Sequence, residues 1–185
     1  MIYAVFLRGI NISGKNKIPM KELKRILTEN GYPDAVTLLN SGNIVLSADK
    51  SEVELSRHIA LIIKENFCLD IPVCAVSAER LKNAVSNAPN WWHTGNKEIY
   101  DNLILTISPF TGAEIARQLG RENENIEKHR VSGNFIFWSY TLKDYRKSKW
   151  WAKTRSADIA NKITVRTGNT ISKVLSLCDR LKTQS

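Results

Sequence analysis

Cysteine is scarce and without pattern. The 185-residue chain has three, Cys68, Cys74 and Cys178, and no C-x-x-C pair. So odd and sparse a set argues against a disulfide framework or a thiolate zinc site and suits a reducing cytoplasm. The cysteines at 68 and 74 read as small core hydrophobes. Histidine is equally sparse. His58, His93 and His129 lie far apart with no metal-ligand spacing, and His58 reads as a partly exposed helix residue. The chain has no G-x-S-x-G, no H-E-x-x-H, and neither the dinucleotide nor the Walker A glycine pattern. No metal or cofactor is expected, and an enzyme remains open only through groups that converge in space. No apolar run approaches 18 residues, so no membrane span is expected. The opening MIYAVFL lacks a basic leader and is short for a secretory signal, so it reads as a strand.

What the chain does have is basic charge. Lys and Arg number 27 against 18 Asp and Glu, a net charge of +9. The distribution is uneven. Residues 1–76 hold nine basic and eight acidic side chains, residues 77–185 hold eighteen and ten, and 141–166 alone hold eight and two. An anionic partner follows naturally, with salt-sensitive attraction; a merely soluble basic surface is the competing explanation. The length of 185 residues suits one or two compact domains, and the apolar fraction of 43% is ordinary for a globular chain.

Periodicity orders the chain. IYAVFL is a strand, and Pro19 opens a helix to about Asn30 with Leu23, Ile26 and Leu27 on one face. AVTLL and IVLSA form a hairpin about the turn NSGN. Ser51 caps a helix to Asn66, with Glu54 completing a capping box, and DIPVCAV closes the order as a strand. A short helix, AERLKNAVSNA, links to a second half. There, a strand over 102–107, a helix over 111–119 capped by Thr111, strands NIEKHRV and FIFWSY, a helix over 149–162, a short strand KITVR and a helix over 170–181 repeat the order. SGN recurs at 41–43 and 132–134, each time between two strands. The expected fold class is therefore α+β, with two tandem ferredoxin-like βαββαβ units, a linking helix and a C-terminal helix. The boundaries would fall at 1–77, 78–98 and 99–185. One larger mixed sheet would use the same elements.

Four segments could carry function. In LRGINISGKNKIPM, Gly9 and Gly14 loosen the chain between the first strand and the first helix. Arg8, Asn11, Gly14, Lys15, Asn16 and Lys17 could there cradle an anion, through free amides and the guanidinium fork. The alternative is a long connection whose Asn and Gly residues only satisfy turn geometry. In NSGN, Ser41 and Asn43 present polar groups, although a plain hairpin turn explains them more simply. In YRKSKWWAKTR, the basic Arg146, Lys147, Lys149, Lys153 and Arg155 interleave with Tyr145, Trp150 and Trp151. That mixture suits single-stranded nucleic acid; a helix that buries its tryptophans would look the same, and protein or membrane-surface contact would also use it. In RTGNT, Arg166 and Asn169 could face an anion at the last helix, with Thr170 or Asn169 as its cap.

The residues also resemble an uncharacterised, mainly bacterial family, domain of unknown function 1697. The resemblance rests on Arg8, Gly9, Ile10, Asn11, Gly14, Pro19 and Met20, followed by Ser41, Gly42, Asn43 and Ile44. Ser13 stands where the family often has a further glycine. The later family pattern Thr-Arg-Asn-Trp-Asn-Thr becomes VRTGNT, with Gly168 in the tryptophan position. The resemblance implies an αβ protein with ferredoxin-like halves and no particular reaction.

The leading expectation is a non-catalytic protein that binds nucleic acid or a small phosphorylated ligand. Alternatives are a small-molecule enzyme with a pocket between the halves, or an interaction scaffold. No membrane partner is expected, and a monomer is the default.

Overall fold

The computed structural model describes residues 1–184. The chain divides into two compact units, Met1–Asn83 with Lys173–Ser185, and Ala84–Ser172. The fold is mixed α/β, with one four-stranded antiparallel sheet in each unit.

The first unit runs β1 (Ile2–Leu7), α1 (Met20–Glu29), β2 (Val36–Leu38), β3 (Asn43–Ser47), α2 (Glu52–Phe67) and β4 (Val73–Ser77), with α3 (Ala78–Ser86) directly after. Its strand order is β2–β3–β1–β4. Alternation places Tyr3, Val5 and Leu7 of β1 and Ile44 and Leu46 of β3 on one face. They pack in one core with Leu23, Ile26 and Leu27 of α1 and Leu55, Ile59, Ile62 and Ile63 of α2. The opposite set, Ala4, Phe6, Val45, Cys74 and Val76, is buried as well. Both sheet faces are therefore covered. Ser51 caps α2 with the expected capping box, and Cys68 ends it at φ +55. Cys68 is exposed there, not in the core, because its position is fixed by the left-handed cap and not by packing.

The second unit runs β5 (Ile99–Thr106), α4 (Gly112–Leu119), β6 (Glu127–Ser132), β7 (Phe135–Thr141), a 3₁₀ turn (Leu142–Lys147), α5 (Lys149–Lys153), α6 (Ala157–Ala160) and β8 (Ile163–Thr167). Its strand order, β6–β7–β5–β8, repeats the pattern of the first sheet. Ile104, Ile136, Trp138, Tyr140 and Ile163 from the strands meet Ile115, Leu119, Trp150 and Ile159. Thr111 caps α4 with the second expected capping box.

The helix expected over 149–162 is instead two short pieces. Ser148 Oγ accepts from Trp151 N at 2.8 Å and starts α5. Thr154 Oγ1 then donates to Trp151 O and Ser156 Oγ to Lys153 O, at 3.2 and 2.8 Å. Such local bonds compete with continued helix. α7 (Gly168–Gln184) follows β8 without a loop. It starts earlier than expected, and Thr167 Oγ1 rather than Asn169 or Thr170 acts as the cap, accepting from Thr170 N at 3.2 Å.

The repeated SGN turns both need glycine. Gly42 and Gly133 have φ of +74 and +59. A Cβ on Gly42 would also lie 2.7 Å from Leu7 Cβ and 2.8 Å from Ile10 Cδ1.

Candidate functional site

The segment after β1 is a small hairpin. Asn11 N donates to Asn16 O and Lys15 N to Ile12 O, at 3.1 and 2.9 Å, and Ile12 and Lys15 form an antiparallel bridge. Ser13 and Gly14 at its tip have φ of +49 and +79, the dihedral signs of a type I′ turn. The Asn11 carboxamide holds the base, accepting from Ile18 N and donating to Ile18 O and Asn40 O, each at 2.9 Å. Asn16 donates to Gly9 O at 3.0 Å. The amides of Asn11, Lys15 and Ile18 and both carboxamides are thus engaged within the segment or with the neighbouring turn. Arg8 is half-buried and its amide donates to Pro72 O. Gly14, Lys15 and Lys17 are exposed, and so is Ile12. This finger displays the exposed cations Lys15 and Lys17 and the aliphatic Ile12.

Asn43 is 0% exposed and donates to Leu38 O and Ser41 Oγ. Its carboxamide holds the β2–β3 turn, with Ser41 on the outside.

In the second unit, the basic aromatic segment splits between core and surface. Trp150 is 0% exposed. Its indole donates to Gly120 O at 2.8 Å and lies 4.4 Å from the His129 ring, so it cannot stack on a base. The others form an outer ladder. Arg155 lies 4.4 Å over the Trp151 ring, Trp151 meets Tyr145 edge-to-face at 5.1 Å, and Arg146 lies 5.6 Å over Tyr145. Trp151 and Tyr145 root their inner edges in the core. Lys147 is paired with Asp144 at 2.8 Å; its hydrogen bond to that carboxylate raises its pKa and lowers that of Asp144. Lys153 Nζ donates to Leu119 O. Lys143 and Lys149 are exposed and make no ion pair among the described residues.

Arg166 is buried and donates to Thr164 Oγ1 and Val165 O, both at 2.8 Å. Asn169 Oδ1 lies 3.0 Å from His93 Nε2. The His93 ring packs on Gly168, where a Cβ would approach its Cδ2 to 2.5 Å.

Three features escaped the sequence. The Glu127 carboxylate, 1% exposed, accepts from Trp138 Nε1, Lys149 N, Trp150 N and Asn123 N; it anchors α5, and only the paired strand and helix ends reveal that. His58 is half-buried in α2, and the contact of its Nδ1 with the Tyr32 hydroxyl at 2.6 Å was not foreseen. Ser139 donates to Asp101 at 2.5 Å beside a recess of about 280 Å³. No described cluster of His, Cys, Asp and Glu could hold a metal ion, and no helix among the described residues is long and apolar enough to cross a membrane.

These features define a two-sheet α/β protein with a basic outer strip. Residues 1–137 match the family model described as a protein of unknown function (DUF1697), and the chain belongs to that family. Its fold is similar to that of the conserved bacterial protein SP0830 from Streptococcus pneumoniae. The TM-score is 0.82 at 23% identity, over 96% of this chain and 98% of that one. No curated protein matches the chain.

Proposed function

We propose that the protein is a non-catalytic nucleic-acid-binding protein built from two ferredoxin-like units, one ending near residue 77 and the other beginning near 99. The repeated element order and equal strand orders support the tandem architecture. A cytoplasmic, reducing setting suits its free thiols.

The observation that carries the binding role is the ladder Arg146–Tyr145–Trp151–Arg155, flanked by exposed Lys143 and Lys149. Alternating guanidinium and aromatic groups meet phosphates and bases together. Lys15 and Lys17 on the finger of the first unit add a secondary anion contact. Buried Trp150 and Arg166 have no direct part in it.

The test is a titration with single-stranded RNA and DNA at two salt concentrations. Binding should weaken steeply with salt, fall on K143E/K149E, and change little on R8A. Absent or salt-insensitive binding would exclude a phosphate-contacting function.

A further inference from the structure

Lys128, Ser139 and Asp101 are register partners across β6, β7 and β5. They therefore form one row on one sheet face. Ser139 is 4% exposed and its hydroxyl is fixed on the Asp101 carboxylate. Two residues further along β7, on the same face, Thr141 has a buried hydroxyl oxygen that interacts with the Asp144 carboxylate. Trp91, from the irregular chain before β5, lines the same recess with Ile99, Ile126 and Lys128. At about 280 Å³ the recess lies at the small end of ligand sites, with room for one ring system rather than a folded segment. Of the carboxylates at the recess, Glu124 is paired with Arg121, Glu127 accepts from Trp138 Nε1 and the amides of Asn123, Lys149 and Trp150, and Asp101 accepts from Ser139. With those acids engaged, an indole, two isoleucines and the Lys128 ammonium at the edge suit a flat heterocycle whose anionic group lies at Lys128.

The recess also adjoins the basic strip through the chain. β7 leaves it at Thr141 and enters the turn bearing Lys143, Arg146 and Lys147. Glu127, another lining residue, holds Lys149 N at 2.7 Å. We propose that this recess seats a single nucleobase against Trp91, with Lys128 meeting the phosphate of the same nucleotide. The assignment rests on the nucleic-acid reading of the basic strip and adds a base-binding subsite to it. A free mononucleotide offers the same chemistry, so the source must be separated by experiment.

A short single strand carrying one ethenoadenine reports base stacking by fluorescence quenching, and adenosine monophosphate serves as the free nucleotide. With the wild-type chain, the strand should bind and its fluorophore should be quenched. W91A should abolish the quenching and weaken binding roughly 5- to 150-fold, the usual effect of losing one base–aromatic stack. K128E, at an exposed position, should weaken binding without unfolding the chain, while K143E/K149E weakens binding but leaves residual quenching at saturation. Strand binding that K143E/K149E weakens but W91A and K128E leave intact would overturn the subsite and spare the proposed function. Binding of adenosine monophosphate without strand binding, lost in K128E, would keep the recess as a mononucleotide site and overturn its place on a strand. Binding of neither would overturn both.

Discussion

Asn11 carries much of the local order of the finger. Its backbone is left-handed at φ +54, a conformation asparagine adopts more readily than most residues. Its side chain makes three bonds to backbone atoms of Ile18 and Asn40. N11A should therefore destabilise the protein by roughly 1–3 kcal/mol, because part-buried backbone groups lose their partner. K15A, exposed on the same finger, should stay within about 0.5 kcal/mol. Urea unfolding checks both; equal midpoints for the two variants would show that the carboxamide does not hold the finger. The sequence identified this segment as special and left Asn11 open between an anion ligand and a residue that only satisfies turn geometry. A carboxamide that satisfies backbone and one that offers hydrogen bonds to an anion have the same composition. Only the position of Ile18 decides between them.

At the scale of elements, legibility followed the range of the interaction. Both capping boxes, Ser51 with Glu54 and Thr111 with Glu114, could be read because every participant lies within four residues. The break after Lys153 could not, because it combines side-chain bonds at Thr154 and Ser156 with a Trp150 held by Gly120, thirty residues away. Hydrogen bonding from Ser51 and Thr111 lowers the pKa of Glu54 and Glu114, through the hydroxyl first for Glu54 and the backbone first for Glu114. A carboxylate whose folded pKa lies below its unfolded value contributes fully above the unfolded glutamate range, about 4.3, and loses that contribution as pH falls through the folded value. The thermal midpoint should therefore hold near neutrality and fall below about pH 4. The double variant S51A/T111A should melt a few degrees lower at pH 7 and show a shallower acid decline. An acid limb as steep as that of wild type would show that other carboxylates dominate it.

At the scale of the molecule, the charge imbalance separates the two halves of the chain more clearly than their topology does. The repeated element order, with SGN at the same place in each copy, let the two sheets be foreseen, and the glycine of both turns has a positive φ. The binding surface was only half legible, since adjacent Trp150 and Trp151 look equivalent in sequence and lie on opposite sides of the core boundary. The consequence is quantitative. Each phosphate neutralised on a single strand contributes about 0.7 to the slope of log affinity against log salt. Removing Lys143 and Lys149 as alanines should flatten that slope by about 1.4 if each meets one phosphate. Lys147, already paired with Asp144, should change it less when replaced by alanine. K15A/K17A on the finger should alter it least, because those contacts are secondary. Slopes measured for the three variants on one oligonucleotide rank the sites directly, and a larger loss from the finger than from Lys143 and Lys149 would move the principal interface to the first unit.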